Sequence, residues 1–299
     1  MGKELPKLIV ILGPTATGKT ALSIKLAKKF NGEIISADSR QVYKGMDIGT
    51  GKVTKKEMKG IPHYLLDVAS PKRKFTVVQY QKLALEAIRK ILKKGKLPFL
   101  VGGTGFYIQA VVNGVFFPKI KPDWQLRGEL EKLSTQKLFN KLKKLDPKRA
   151  KTIDKKNRRR LIRALEIVIK SGKPVPPLKK KPPEFKVLMI GIKKSLKEIK
   201  KLIKKRLLKR LRRGMITEVK RLRKEGISWK RLEDFGLEYR YIAQYLQGKI
   251  NRKEMMRKIQ KESEHYAKRQ MTWFKKDKRI FWIKNYKEAK KIVKNFLKN

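Results

Sequence analysis

Eight residues near the start of the chain, GPTATGKT from Gly13 to Thr20, have the types and spacing to hold a phosphate chain. In a GxxxxGK[ST] loop the glycines let backbone N–H groups turn inward and approach oxyanions closely. The helix that follows presents its positive dipole end and its free N–H groups. Lys19 supplies a point charge for the terminal phosphates, and the hydroxyl of Thr20 is a ligand for Mg2+. Gly13, Pro14, Thr15, Ala16, Thr17, Gly18, Lys19 and Thr20 are therefore the candidate diphosphate-binding residues. The loop is of the kind that usually holds ATP or GTP. By itself it specifies a di- or triphosphate and not a nucleotide.

A kinase or ATP-hydrolysing site pairs this loop with an apolar strand ending in Asp, which holds the magnesium through water. Here the apolar strand PFLV ends in GGTG and carries no acid, whereas EIISADSRQVY reaches Asp38. Two functional roles for Asp38 stay open. It is a water-mediated magnesium ligand, or it is a base poised beside the phosphate loop in the crevice at the carboxyl ends of the strands. The plain structural alternative is an N-cap or turn residue.

These residues need elements to hold them. KLIVIL reads as a buried strand, GKTALSIKLAKKF as a helix ended by Asn31 and Gly32, and EIISAD as a second strand. TVVQYQKLALEAIRKILKKGK is a long amphipathic helix, LPFLVGG a third strand, and FYIQAVV a further helix. Alternation of this kind implies an α/β fold: a P-loop NTPase-like parallel sheet core with helices on both faces. From about Pro118 strand signals vanish, and DWQLRGELEKL, TQKLFNKLKKL and NRRRLIRALEIVIKSG read as short charged helices. The proline-rich KPVPPLKKKPPEFK reads as an extended linker. KVLMIGI then looks like another buried strand, helices run from Leu196 to about Lys275, and RIFWIK and KEAKKIVKNFLK close the chain as a strand and a helix. The expected organisation is a discontinuous core, 1–118 and 184–299, with a helical insertion domain at 119–183.

The bulk numbers narrow the function. The 299 residues contain no cysteine and two histidines, so disulfides, thiolate zinc sites and cysteine nucleophiles are excluded. No apolar run approaches the roughly 20 residues that span a bilayer, and the N-terminal stretch reads as a strand and not a signal peptide. A cytoplasmic protein with no membrane partner is expected. The formal net charge is +56, and it is uneven. Residues 1–118 carry 21 Lys+Arg against 7 Asp+Glu, and residues 119–299 carry 60 against 18. A general lysine bias does not explain the concentration in NRRRLIR, KKRLLKRLRR and KRLRK. Cationic faces of this density attract polyanions through counterion release, so nucleic acid is the expected partner.

Together these segments resemble the tRNA dimethylallyltransferase (tRNA isopentenyltransferase) family, bacterial type. The matching stretches are GPTATGKT, ISADSRQVYKGMDIGTGK, GIPHYLLDV, VGGTGFYIQAVVNG, DPKRAKTIDKKNRRRLIRALEI, RRGMITEV and YAKRQMTWF, in the family's order. The resemblance implies that the loop holds the diphosphate of dimethylallyl diphosphate with Mg2+, and that the acceptor is an adenine of the tRNA anticodon stem-loop, 3′-adjacent to the anticodon. By the same resemblance Asp38 takes the proton of the exocyclic amine, with Lys19 and Thr104 completing the catalytic set. Asp38, Ser39, Arg40, Gln41 and Thr104 match positions around the flipped-out base. Arg127, Arg159, Arg160, Leu161, Ile162 and Arg163 match tRNA-contacting positions. Nothing in the sequence demands more than a monomer.

The chain departs from the family in places. Tyr64 follows His63 where His-His is common, Leu208 stands at a frequent Asp, GLEYRYI replaces a Gly-Tyr-Lys-Glu stretch, and Ser263-Glu264 replace Thr-Arg. Glu264 puts an anion where the family has an RNA-facing cation. Trp273 and Phe274 of the late motif read as core anchors in preference to base-stacking platforms. The alternative activity is a P-loop kinase acting on a small molecule or a polynucleotide, which must consume ATP where a prenyltransferase releases pyrophosphate.

Overall fold

The computed structural model describes residues 4–118, 120–177, 179–180, 182 and 184–298. β1 (Lys7–Leu12), β2 (Gly32–Ala37), β3 (His63–Tyr64) and β4 (Leu97–Gly102) come first. The two-residue β5 (Val115–Phe116) and β6 (Lys179–Lys180) follow, and then β7 (Lys186–Ile192) and β8 (Ile280–Ile283). Six of them form one parallel sheet in the order β3-β2-β4-β1-β7-β8.

The sheet is apolar on both faces. Leu8, Val10 and Leu12 of β1 point into one core and Ile9 and Ile11 into the other. That is why β1 reads as a continuous apolar run and not as an alternation. Helix Val77–Lys93 covers the first face with Tyr80, Ala84, Ile88 and Ile91. It starts at a capping box, in which Thr76 accepts the Gln79 N–H and the Gln79 side chain accepts the Thr76 N–H. Helices Lys19–Lys29 and Tyr286–Lys298 cover the second face. A third core gathers helices Met215–Lys224, Trp229–Phe235, Leu237–Leu246 and Arg252–Phe274 around Val42, Tyr43 and Met46. Trp273 packs against the first core and Phe274 lies within it.

β1 pairs with β4 on one side and β7 on the other. The chain leaves β1 toward β2 and later returns on the opposite side as β7. Such a change of direction opens a crevice at the carboxyl ends of the strands. The phosphate loop, Asp38 and Thr104 directly follow β1, β2 and β4 there.

The chain folds as two compact units, Met1–Gly114 with Pro182–Asn299, and Val115–Lys181. The expected bounds of the insertion, residues 119 and 183, lie outside the described residues. Within the second unit each described helix begins at a side-chain cap. Asp123, Ser134, Asp146 and Asn157 accept backbone N–H groups at the starts of helices Trp124–Lys132, Thr135–Leu145, Pro147–Thr152 and Arg158–Ser171. The short Pro147–Thr152 helix is too brief to show apolar periodicity, and its sequence signal is Asp146-Pro147, a cap and first-turn pair. β5 and β6 pair antiparallel, so part of the proline-rich stretch is strand and not linker.

Candidate active site

The phosphate loop takes the conformation its glycines permit. Gly13 has φ 142° and Gly18, which caps helix Lys19–Lys29, has φ 88°. A Cβ on Gly13 would stand 3.3 Å from the carbonyl of Ile192. The loop is braced from within: Thr17 Oγ1 and Lys19 Nζ both donate to the Pro14 carbonyl, at 2.9 and 2.7 Å. It is braced from outside where Ala16 packs on Ile199, Ile203 and Ala267. Those residues belong to helices Leu196–Arg212 and Arg252–Phe274. Thr15 N–H donates to Gln270 Oε1 at 2.8 Å.

Asp38 and Thr104 are brought together. Thr104 N–H donates to the Ala37 carbonyl at 3.1 Å, and the Thr104 hydroxyl accepts the Ser39 N–H at 3.1 Å. Asp38 Oδ1 accepts the N–H of Arg40 at 2.8 Å and of Gln41 at 3.4 Å, an Asx turn that leaves Oδ2 outside those bonds. Beneath them Tyr80 donates to the Ser36 carbonyl and stacks on Tyr107 with ring centroids 3.9 Å apart. Arg40 Nε donates to the Phe235 carbonyl at 2.8 Å. Part of the guanidinium expected to meet the acceptor is thus committed to the fold. Gln41 holds its amide loosely, 3.4 Å from Ser36 Oγ and 3.5 Å from the Gly51 carbonyl.

The electrostatics are those of a site built for anions. Burial and then Arg206 bring the Lys19 ammonium down to about 7, with Asp38 working against both. Burial and then Arg210 bring the Arg206 guanidinium down to about 9, opposed by Glu238, Asp38 and Tyr266. The Tyr266 hydroxyl is raised to about 12, first by burial and then by Asp38. Lys19, Arg206, Asp38 and Tyr266 therefore share one field.

Thr20 is exposed at the first turn after the loop. Among the described residues there is no cluster of three carboxylate or imidazole groups able to cage a metal. A magnesium here would take the Thr20 hydroxyl and complete its shell from phosphate oxygens and water. That suits a hard cation that keeps several waters and takes few protein ligands, so the donor set fits.

In the Val115–Lys181 unit the expected tRNA-contacting residues separate. Arg159 and Arg160 are exposed. Arg127 and Arg163 grip the fully buried carboxylate of Glu166, Arg127 as a fork through Nε at 2.7 Å and Nη2 at 2.6 Å. Burial pushes the Glu166 carboxyl up, but the two guanidiniums and the Asp123 N–H outweigh it and hold it low. Leu161 and Ile162 need correction. They are 0% and 7% exposed in the unit's apolar core, where their side chains have no surface to offer RNA.

The sequence alone assigns no role at the site to Arg206 or Gln270. Arg206 was lost among the many cations of KKRLLKRLRR, although it follows Ile199 and Ile203 along the stripe that packs on the loop. Gln270 belonged to a recognised motif, but nothing local says that an amide in a helix will reach two loops.

A parallel sheet with a phosphate loop after its central strand, and an acid and a hydroxyl at two neighbouring strand ends, defines a phosphate-loop fold equipped for group transfer. The sequence model of the IPP transferase family matches residues 41–277. The chain is 41% identical over 301 residues to the tRNA dimethylallyltransferase of Acetivibrio thermocellus, covering 97% of this chain and 96% of that protein. It superposes on the full-length tRNA isopentenylpyrophosphate transferase of Bacillus halodurans with a TM-score of 0.73 and 39% identity, over 98% of this chain and 95% of that one. Against a eukaryotic dimethylallyltransferase acting on tRNA the TM-score is 0.77 at 28% identity, over 93% of this chain and 74% of that one. The chain belongs to the IPP transferase family.

Proposed function

We propose that this chain transfers the dimethylallyl group of dimethylallyl diphosphate to the exocyclic amine of an adenine 3′-adjacent to the anticodon of a tRNA, releasing pyrophosphate. The observation that carries this reading is the convergence of Lys19, Asp38 and Thr104 at three neighbouring strand ends, in a chain whose relatives bear that activity's name.

The C–O bond of the allylic diphosphate breaks as the N–C bond forms. Negative charge grows on the departing diphosphate, where Lys19, the loop N–H groups and Arg206 stabilise it. Thr20 would hold a Mg2+, which would supply further neutralisation of that charge. The amine proton passes to Asp38, whose Oδ1 is held by the turn and whose Oδ2 is left for the acceptor. Thr104 lies between the two reactants' anchors, just past the end of β4, the strand between β1 and β2. Arg159 and Arg160 are the exposed cations offered to tRNA phosphates. The kinase alternative draws no support from the relatives and lacks an acid at the end of β4.

The test is incubation with Mg2+, dimethylallyl diphosphate and unmodified tRNA, followed by digestion and mass spectrometry. A prenylated adenosine that disappears in Asp38→Ala is the expected product. ATP turnover without a prenyl adduct would overturn the reading.

A further inference from the structure

We propose that Gln270 is a positioning residue that fixes the distance between the phosphate loop and the Thr104 loop, and so sets the rate of transfer without itself binding the donor; this rests on the prenyl-transfer reading above. Gln270 lies in helix Arg252–Phe274 and is 6% exposed. Its Oε1 accepts the Thr15 N–H at 2.8 Å, and its Nε2 donates to the Gly103 carbonyl at 2.8 Å. One side chain thus joins the loop that follows β1 to the loop that follows β4. The register between those strands ends at Leu12 opposite Gly102.

A carboxamide is suited to this bridge because it carries an acceptor and a donor at one tip; a carboxylate has only acceptors and an ammonium only donors. The helix is seated closely on both sides of Thr104. A Cβ on Gly103 would stand 2.3 Å from Gln270 Nε2, and a Cβ on Gly105 would stand 2.3 Å from the Trp273 ring. Gly103 moves with Thr104, whose hydroxyl holds the Ser39 N–H next to Asp38. Thr15 moves with the loop that carries Lys19. The amide therefore ties the acceptor side of the site to the donor side. Displacement needs its reacting atoms about 3–3.5 Å apart, and a misplacement of about 1 Å costs roughly 100-fold in rate.

The experiment replaces Gln270→Met, which keeps length and apolar packing and deletes both bonds. Three quantities are read: kcat with tRNA, the Kd of an unreactive thiolo analogue of dimethylallyl diphosphate, and backbone amide exchange over 13–17 and 103–105. Expected are a loss of kcat of roughly 30-fold or more, a Kd changed by less than about 3-fold, and faster exchange in both loops together. Unchanged kcat overturns the proposal. Parallel loss of kcat, donor affinity and melting temperature overturns it in favour of simple packing.

Gln270→Glu provides a second test. Its ionised carboxylate accepts from Thr15 but opposes the Gly103 carbonyl, whereas the protonated form restores the donor. Its deficit relative to wild type is expected to shrink as pH falls; a deficit independent of pH counts against the bridge. If the wild-type chain forms no prenylated tRNA, the functional reading fails, and the paired loop exchange alone decides whether Gln270 ties the loops.

Discussion

Lys19 stands where three influences meet: burial and Arg206 press its proton off, and Asp38 holds it on. Its folded-state pKa of about 7 lies below the ordinary 10.5, so the unfolded chain binds more protons between those values. Stability from this group therefore rises with pH from about 7 toward 10.5. Lys19→Met is expected to raise the melting temperature at pH 6 and to converge with wild type near pH 10; equal melting at pH 6 would contradict the strained charge. An anionic donor reverses the balance, because it favours the ammonium. Above pH 7 donor binding must then draw a proton from solvent, and affinity falls by up to about tenfold per pH unit. Titration calorimetry in buffers of different ionisation heat reads that proton directly, and Lys19→Met should abolish the uptake. Asp38 is a separate matter. Asp38→Asn keeps the Asx turn and removes the base, so transfer is expected to fall by about 10²- to 10⁴-fold while donor affinity survives. Loss of donor affinity to the same degree would make Asp38 a donor-side residue.

At the next scale, the amino end of the sheet shows how a single element is secured. Glu33 of β2 is 1% exposed. Burial pushes its carboxyl up, but hydrogen bonds from Lys96, Tyr64 and Lys94 carry it down to about 2. The Tyr64 that departs from the family's His-His thus has work here: its hydroxyl lies 2.6 Å from Glu33 Oε2. A depressed carboxylate contributes stability that is full above its unfolded value of 4.5 and is lost as pH falls toward 2. Glu33→Gln should flatten the acid limb of the unfolding curve in that window and cost about 1.5–3 kcal/mol at neutral pH, since the lysines left behind stay solvated. An unchanged acid limb would mean that other carboxylates dominate. Elements of this size were legible in the sequence when their burial was two-sided: β1, β2, β4, β7 and β8 were all announced by apolar runs. The two-residue β3, β5 and β6 were not, since a pair of residues has no periodicity to read. The site divides likewise. Gly13 to Thr20 and Asp38 were legible because local backbone geometry demands those residue types. The roles of Arg206 and Gln270 were not, because they depend on where distant helices come to rest.

Across the whole chain, a formal charge of +56 makes affinity for a polyanion steeply dependent on salt. Arg159→Ala with Arg160→Ala should weaken tRNA binding and lower the log–log salt slope by about 2, with donor binding unaffected. Arg127→Ala is expected to act differently, through stability. It strips a fork from a carboxylate with no exposure, at a cost of about 3–5 kcal/mol. A melting curve for Arg127→Ala that matches wild type would return that residue to the surface. The order of the strands bears on how the protein is made. β1 lies between β4 and β7, and β7 begins only at Lys186. A nascent chain that has finished β4 therefore carries its central apolar strand with one edge unpaired until the ribosome has added the whole Val115–Lys181 unit. Gln270 comes later still. Polypeptides released early would carry a complete GPTATGKT motif with neither the second neighbour of its strand nor the amide that tethers its loop. Quality control would meet them as sticky fragments, and possession of the signature alone would not make them catalysts.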